Sequence, residues 1–177
     1  MRKEELLIYQ FTNGSACLGD WLVLRELSIN KKIIVELGTD KGLTSILLSK
    51  NTKGIIYTID HNMDNTLKNY LAKFNIKGIN YDSSEANRFF DDNSIDMLYI
   101  DADHDTEETK KNYDKWFNKV IKKGIILFHD ISIVWPNLIE FYNSYIKVDN
   151  RIKEITISSI LPEYKDLKTV MKIVEKL

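Results

Sequence analysis

The chain has 177 residues, enough for one domain with a sizeable core and too few for two ordinary ones. Hydrophobic residues make up 44% and charged residues 29%, which excludes an intrinsically disordered chain. Lys and Arg number 25 against 26 Asp and Glu, so no net field recruits nucleic acid, and a nucleic-acid partner is not expected.

Helical spacing at Leu18, Trp21, Leu22, Leu24, Arg25 and Leu27 predicts an N-terminal helix, capped near Asn13 or Ser15. Cys17, just before it, is the only cysteine, so an internal disulfide and a Cys-based metal cluster are both excluded; it reads as buried filler. Strands and helices then alternate. Strands are expected over 33–37, 55–60, 77–81, 95–100 and 125–129. Helices are expected over 43–50, 64–74, 84–90, 107–122 and 135–146, with Pro136 suited to the first turn of the last. Such alternation implies parallel strands joined by right-handed crossovers. Lys110, Lys111, Lys115, Lys119, Lys122 and Lys123 fall mostly three or four apart, the spacing of one solvated helix face.

The tail breaks the alternation. Residues 151–160 and 167–174 both read as strands, and the short 161–166 connection favours an antiparallel pair. The expected fold is therefore α/β and Rossmann-like: a mostly parallel seven-stranded sheet with an antiparallel last strand and helices on both faces. One domain spans 1–177, with a helical segment over 1–30 and the core over 31–177. The first residues lack an apolar leader-like run and no stretch approaches membrane-spanning length, so a cytoplasmic protein without a membrane partner is expected.

Two strand ends carry the chemistry. Ile33-Ile34-Val35 leads into Glu36-Leu37-Gly38-Thr39-Asp40-Lys41-Gly42, a strand ending in an acid and a glycine turn ahead of a helix. The spacing is not the Gly-x-Gly-x-x-Gly that holds a dinucleotide pyrophosphate, and the acid asks for a cationic or amine-bearing ligand. The second strand ends in Asp60, 24 positions on, where a second βα unit places the group that grips a ribose diol. A plain α/β turn and a solvated acid are the bland readings of these features. Together they suggest a nucleoside ligand without a pyrophosphate, a description that S-adenosylmethionine fits.

The segment 36–42 resembles the first motif of class I S-adenosylmethionine-dependent methyltransferases. It is most similar to the catechol and caffeoyl-CoA O-methyltransferases and to the macrocin and cephalosporin-hydroxylase-like groups. The resemblance continues through 95–104 and 123–130, so it covers roughly residues 30 to 135 in order. It implies an S-adenosylmethionine-dependent methyltransferase acting on a small molecule, with a hydroxyl oxygen as the expected acceptor. An RNA or protein acceptor on the same fold, and a non-catalytic cofactor-binding module, are the alternatives. A nicotinamide dehydrogenase ranks behind them, disfavoured by the glycine spacing and the reversed tail.

The resemblance also implies roles. Glu36, Gly38, Gly42 and Thr44, with Ser45 as understudy, would hold the methionine part of the cofactor; Asp60 would take the ribose hydroxyls. Asp82 and Ser83 sit where such enzymes contact adenine, although a helix cap reads as well there. Asp101 ends the fourth strand and would bind cofactor, or a hard divalent ion, Mg²⁺ or Mn²⁺, together with the His129-Asp130 pair after the fifth strand. The metal-dependent relatives carry Asp-Asn or Asp-Asp in place of that pair. Three residues after Asp101, where the catechol-type enzymes have a lysine base, this chain has His104; Asp103 is the other candidate base. A cap on the following helix is the plain reading of residues 103–105. His61 reads as a bystander. Trp135, Tyr9, Phe11 and Trp21 could face substrate or belong to the core. With no inserted cap domain, only the N-terminal region or a second copy of the chain is left to cover an acceptor.

Overall fold

The computed structural model describes residues 17–102, 104–163 and 167–177. Helix α1 (Leu18–Ser28) leads into β1 (Ile33–Leu37), α2 (Leu43–Ser49), β2 (Ile55–Ile59), α3 (Asn65–Ala72) and β3 (Ile76–Ile79). A 3₁₀ turn (Ala86–Phe89) precedes β4 (Ile95–Ile100), α4 (Thr106–Trp116) and β5 (Val120–Phe128). The chain closes through α5 (Pro136–Phe141), β6 (Ile152–Ile155), α6 (Ile157–Ile160) and β7 (Lys172–Lys176).

The sheet has the order β3-β2-β1-β4-β5-β7-β6. The strands from β3 to β5 pair in parallel, whereas β7 runs antiparallel to both β5 and β6. The order reverses at β1, whose neighbours are β2 and β4. A ligand crevice is expected outside the carboxyl ends of strands at such a switch point.

Both sheet faces are covered, so alternate strand residues divide between two cores. Val35, Leu37, Leu98, Ile126 and Phe128 pack with Tyr113 and Trp116 of α4. Ile34, Ile56, Met97, Tyr99, Leu127 and Ile173 pack with Trp21 and Leu24 of α1 and with Leu47 and Leu48 of α2. The same period-two rule puts Glu36, Thr58, Tyr99, Asp101 and His129 on the α1 side. Polar groups at the ends of four strands therefore share one face, Glu36 and Thr58 with Ser45 of α2 and His129 beside Asp20 of α1.

Several sequence expectations need correction. Helix α4 stops at Trp116, and after a 3₁₀ turn (Phe117–Lys119) β5 begins at Val120, well before residue 125. Lys122 and Lys123 thus lie on a strand, not on the lysine-bearing helix face, and Lys123 takes φ +62° at the irregularity ahead of the β4–β5 register. Strand β6 is only four residues long; the i, i+3 apolar spacing of Ile157 and Ile160 gives a helical turn instead. Residues 167–171 are not strand either. Thr169 and the Val170 amide are claimed by the Asp20 carboxylate of α1, and pairing begins only at Lys172. Cys17 is half-exposed, not buried filler: it stands as the N-cap of α1, its Sγ donating to the Lys168 carbonyl at 3.2 Å. The expected caps, Asn13 and Ser15, lie outside the described residues, as do Tyr9 and Phe11. Trp21 is core, 3% exposed. No helix among the described residues is long and apolar enough to cross a membrane.

Candidate active site

A cleft of about 130 Å³ opens at the carboxyl ends of β1, β2 and β4, lined by Glu36, the turn from Gly38 to Lys41, Leu43, Thr44, Asp60 and Asp101. Gly38 makes the turn at φ +91°, and a Cβ there would lie 2.0 Å from the Asp101 carbonyl oxygen, so the β1 turn and the β4 end touch only because this residue is glycine. Gly42, at φ +74°, caps α2 against Leu71 and does not line the cleft.

Glu36 forms the floor. It is 1% exposed, and its Oε2 accepts hydrogen bonds from the Ser45 hydroxyl and, at 2.6 Å, from Thr58 Oγ1. Thr39 lies 2.7 Å behind Thr58, completing a buried hydroxyl chain. No cation contacts Glu36 among the described residues. Burial therefore drives its pKa up; the two hydroxyls resist and the nearby Asp101 and Asp60 charges assist, leaving it at about 8.

Asp60 is the opposite case. Its Oδ2 accepts from the Thr39 amide (3.0 Å) and the Asp40 amide (3.3 Å), and Oδ1 from the Asn62 amide (2.8 Å). Burial works to raise its pKa, but these three donors prevail and hold it below the usual carboxylate range. It stands at the cleft as a fixed anion. Asp82 and Ser83 do not line the cleft: Asp82 Oδ1 accepts from the amide and hydroxyl of Ser84, and the Ser83 carbonyl accepts from Trp116 Nε1. These contacts close a local turn at Asp82, while the cap position of the 3₁₀ turn is Glu85, which makes no side-chain cap hydrogen bond, so the capping expected of this segment is not seen either.

Beyond Asp101 the polar groups continue. Asp101 Oδ2 accepts from the hydroxyl of fully buried Tyr99 at 3.1 Å, and Oδ1 lies 3.1 Å from His129 Nδ1. The same Nδ1 is 3.0 Å from Asp130 Oδ2. Asp130, held at φ +57°, a backbone region unusual for a non-glycine residue, turns that oxygen to His104 Nε2 as well, at 2.7 Å. His104 is half-exposed and stacks on Trp135, with ring centroids 4.3 Å apart and planes 12° from parallel. Asp103 lies outside the described residues. The Asp105 carboxylate caps α4 through the Glu107 and Glu108 amides, so the plain reading of that loop holds for Asp105. His61 is exposed, its Nε2 2.9 Å from the side-chain nitrogen Nδ2 of Asn62.

His129 is 6% exposed and sits deeper than expected of a ligand to a shared ion. Its Nε2 faces Asp20 Oδ2 at 3.6 Å, beyond hydrogen-bond reach, so this contact is Coulombic. Burial opposes its charge, but the hydrogen bonds to Asp101 and Asp130 and the nearby Asp20 carboxylate outweigh it and push its pKa up to about 12. Asp101, His104 and Asp130 can each bring one ligand atom within 4.8 Å of the others. Both carboxylates, however, already face the His129 N–H. The group close enough to share an ion is therefore Asp101, His104 and Asp130, with His129 hydrogen-bonded to both carboxylates and not itself in that group.

Asp20 and Tyr99 are the site residues that sequence reading missed. Asp20 lies in the first turn of α1, where an acid is ordinary, and no spacing rule pairs residue 20 with residue 129.

A family model described as a methyltransferase domain matches residues 35–131. Among solved structures, the chain is similar to a putative caffeoyl-CoA O-methyltransferase from Staphylococcus aureus. That likeness has 16% identity and a TM-score of 0.69, covering 99% of this chain and 93% of that one. It is also similar to an O-methyltransferase from Bacillus cereus in complex with SAH, at 15% identity and a TM-score of 0.61, covering 98% of this chain and 89% of that one. At these identities the likeness shows the fold. An uncharacterized protein of Sinorhizobium fredii is 30% identical over 50 residues; the match takes in 28% of this chain and only 6% of that protein's length.

Proposed function

We propose, because this chain belongs to the methyltransferase domain family, that its cleft binds S-adenosylmethionine and that it methylates a hydroxyl oxygen of a small molecule. The observation that carries the reading is the pair of acids framing the glycine turn: Glu36, buried without a cation, and Asp60, fixed as an anion by three backbone donors. The first suits the amino group of the ligand and the second its ribose hydroxyls. Thr44, on the cleft wall, offers a hydroxyl to the carboxylate.

S-adenosylmethionine supplies an electrophilic methyl group on a sulfonium. The chain's own part is to hold the acceptor and take its proton. His104 fits that role. A proton on Nε2 satisfies Asp130, which leaves Nδ1 as the basic nitrogen, and the Trp135 ring restricts the imidazole plane. Alignment of acceptor and sulfonium supplies the rest of the acceleration. A protein or RNA acceptor remains the rival outcome, distinguished by turnover on a small hydroxylated compound alone.

Calorimetry with S-adenosylhomocysteine tests the cofactor half of the reading. The Asp60→Ala variant should bind at least about tenfold more weakly, because a lost contact of ~1.4 kcal/mol corresponds to that factor. Equal affinity in a folded variant would remove Asp60 from the site.

A further inference from the structure

We propose that Lys41 holds the carboxylate of the bound cofactor, so that the cleft reads the zwitterionic amino-acid end of its ligand with two opposite charges, Glu36 for the ammonium and Lys41 for the carboxylate. The inference rests on the cleft being the S-adenosylmethionine site. Of the residues that line it, Glu36, Asp40, Asp60 and Asp101 carry carboxyl groups, and Lys41 alone carries a positive charge. A ligand carboxylate entering among those acids meets like charge unless a cation receives it. Thr44 offers it one hydroxyl, whereas a carboxylate has two oxygens to satisfy, and the neighbouring Ser45 hydroxyl is spent on Glu36. The donor still needed is a cation, and the cleft wall has Lys41.

The local fold presents that lysine. The Gly42 amide donates to the Thr39 carbonyl at 2.7 Å, closing a tight turn with Asp40 and Lys41 at its corners. Asp40 takes φ +43°, and its amide turns back to Asp60 Oδ2 at 3.3 Å, which fixes the turn against the end of β2. Lys41 is exposed on this turn and has no ion-pair partner among the described residues. Its acidic neighbours are held by other donors: Glu36 by Ser45 and Thr58, Asp60 by backbone amides, and Asp101 by Tyr99 and His129. The ammonium is therefore left for the ligand. Removing it would turn the cleft against a ligand carboxylate while leaving the Glu36 and Asp60 contacts in place.

Calorimetry on the purified chain with a graded set of ligands tests this. S-adenosylhomocysteine carries both charges, its decarboxylated form keeps the ammonium alone, and methylthioadenosine lacks both. Lys41→Gln should weaken S-adenosylhomocysteine by about tenfold at low salt and leave the other ligands within about twofold, because only the charge-assisted contact to the carboxylate is lost. High salt should shrink that loss, since the lysine is exposed and its charge is screened. Lys41→Arg, which keeps the charge, should restore most of the affinity. The side chain fills no core, so both variants should melt with wild type. The proposal is overturned if Lys41→Gln binds S-adenosylhomocysteine as wild type does. It is equally overturned if all the ligands weaken alike, which would make Lys41 a support of the turn and not a contact to the carboxylate. Failure of the cofactor reading has its own signature: wild type would bind none of the ligands, and the inference would fall with it.

Discussion

His104→Ala should lower turnover by about 10²–10⁴-fold while leaving the affinity for S-adenosylhomocysteine nearly unchanged. The size follows from removing a positioned base, and the selectivity from where the residue sits. His104 touches Asp130 and Trp135 but does not line the Glu36–Asp60 cleft. The ring is half-exposed and fills no core, so the variant should fold with an unchanged melting temperature. Single-turnover methylation of a hydroxylated acceptor, beside calorimetry of the same preparation, makes the comparison. A variant that keeps most of its rate would shift the role to Asp103. Equal loss of rate and cofactor affinity would make His104 a binding residue instead.

Glu36→Gln should give the second large effect, and in two directions at once. Glu36 titrates near 4.5 when exposed and at about 8 in the free protein. The folded chain therefore holds one proton more than the unfolded chain between those values, and stability falls as pH rises through that window. Below about 4.5 both states are protonated and no penalty exists; above about 8 the penalty is complete, on the order of several kcal/mol for such a shift. Glutamine is neutral throughout, so the variant should melt several degrees higher than wild type at pH 8 and close to it at pH 4.5. Cofactor binding should move the opposite way. A cationic amine replaces the proton on Glu36, so wild-type affinity should rise roughly tenfold per pH unit up to about 8. The variant should bind weakly and without that slope. Calorimetry in buffers of different ionisation enthalpy counts the released proton directly. Binding without proton release, or a melting difference independent of pH, would show that Glu36 is charged in the free protein.

What lies within one strand and its following turn was readable from the chain. The strand 33–37 and its Glu-x-Gly-x-x-x-Gly turn are local facts, since apolar β-formers, an acid and two glycines adopting positive φ specify a short backbone path. The alternation of elements determined a parallel sheet, and the reversed tail determined the antiparallel strand, although not where its hydrogen bonds begin. Asp60 and Asp101 were placed at strand ends by counting alone.

Only the tertiary structure decided what these groups do to one another. Sequence spacing placed Glu36 at a ligand, but its raised pKa comes from burial, helped by the Asp101 and Asp60 charges and opposed by the hydroxyls of Ser45 and Thr58, groups that separate elements bring together. His129 reads from the chain as a third metal ligand. Its neighbour across the fold is Asp20, more than a hundred residues earlier, brought there because α1 packs over the same sheet face on which the ends of β4 and β5 project. Burial works against a charge on that ring, and the carboxylates of Asp101, Asp130 and Asp20 outweigh it and raise its pKa. Periodicity tells which face a side chain takes; the charge it carries is set by every group that face encloses, and those meet only when the sheet is formed.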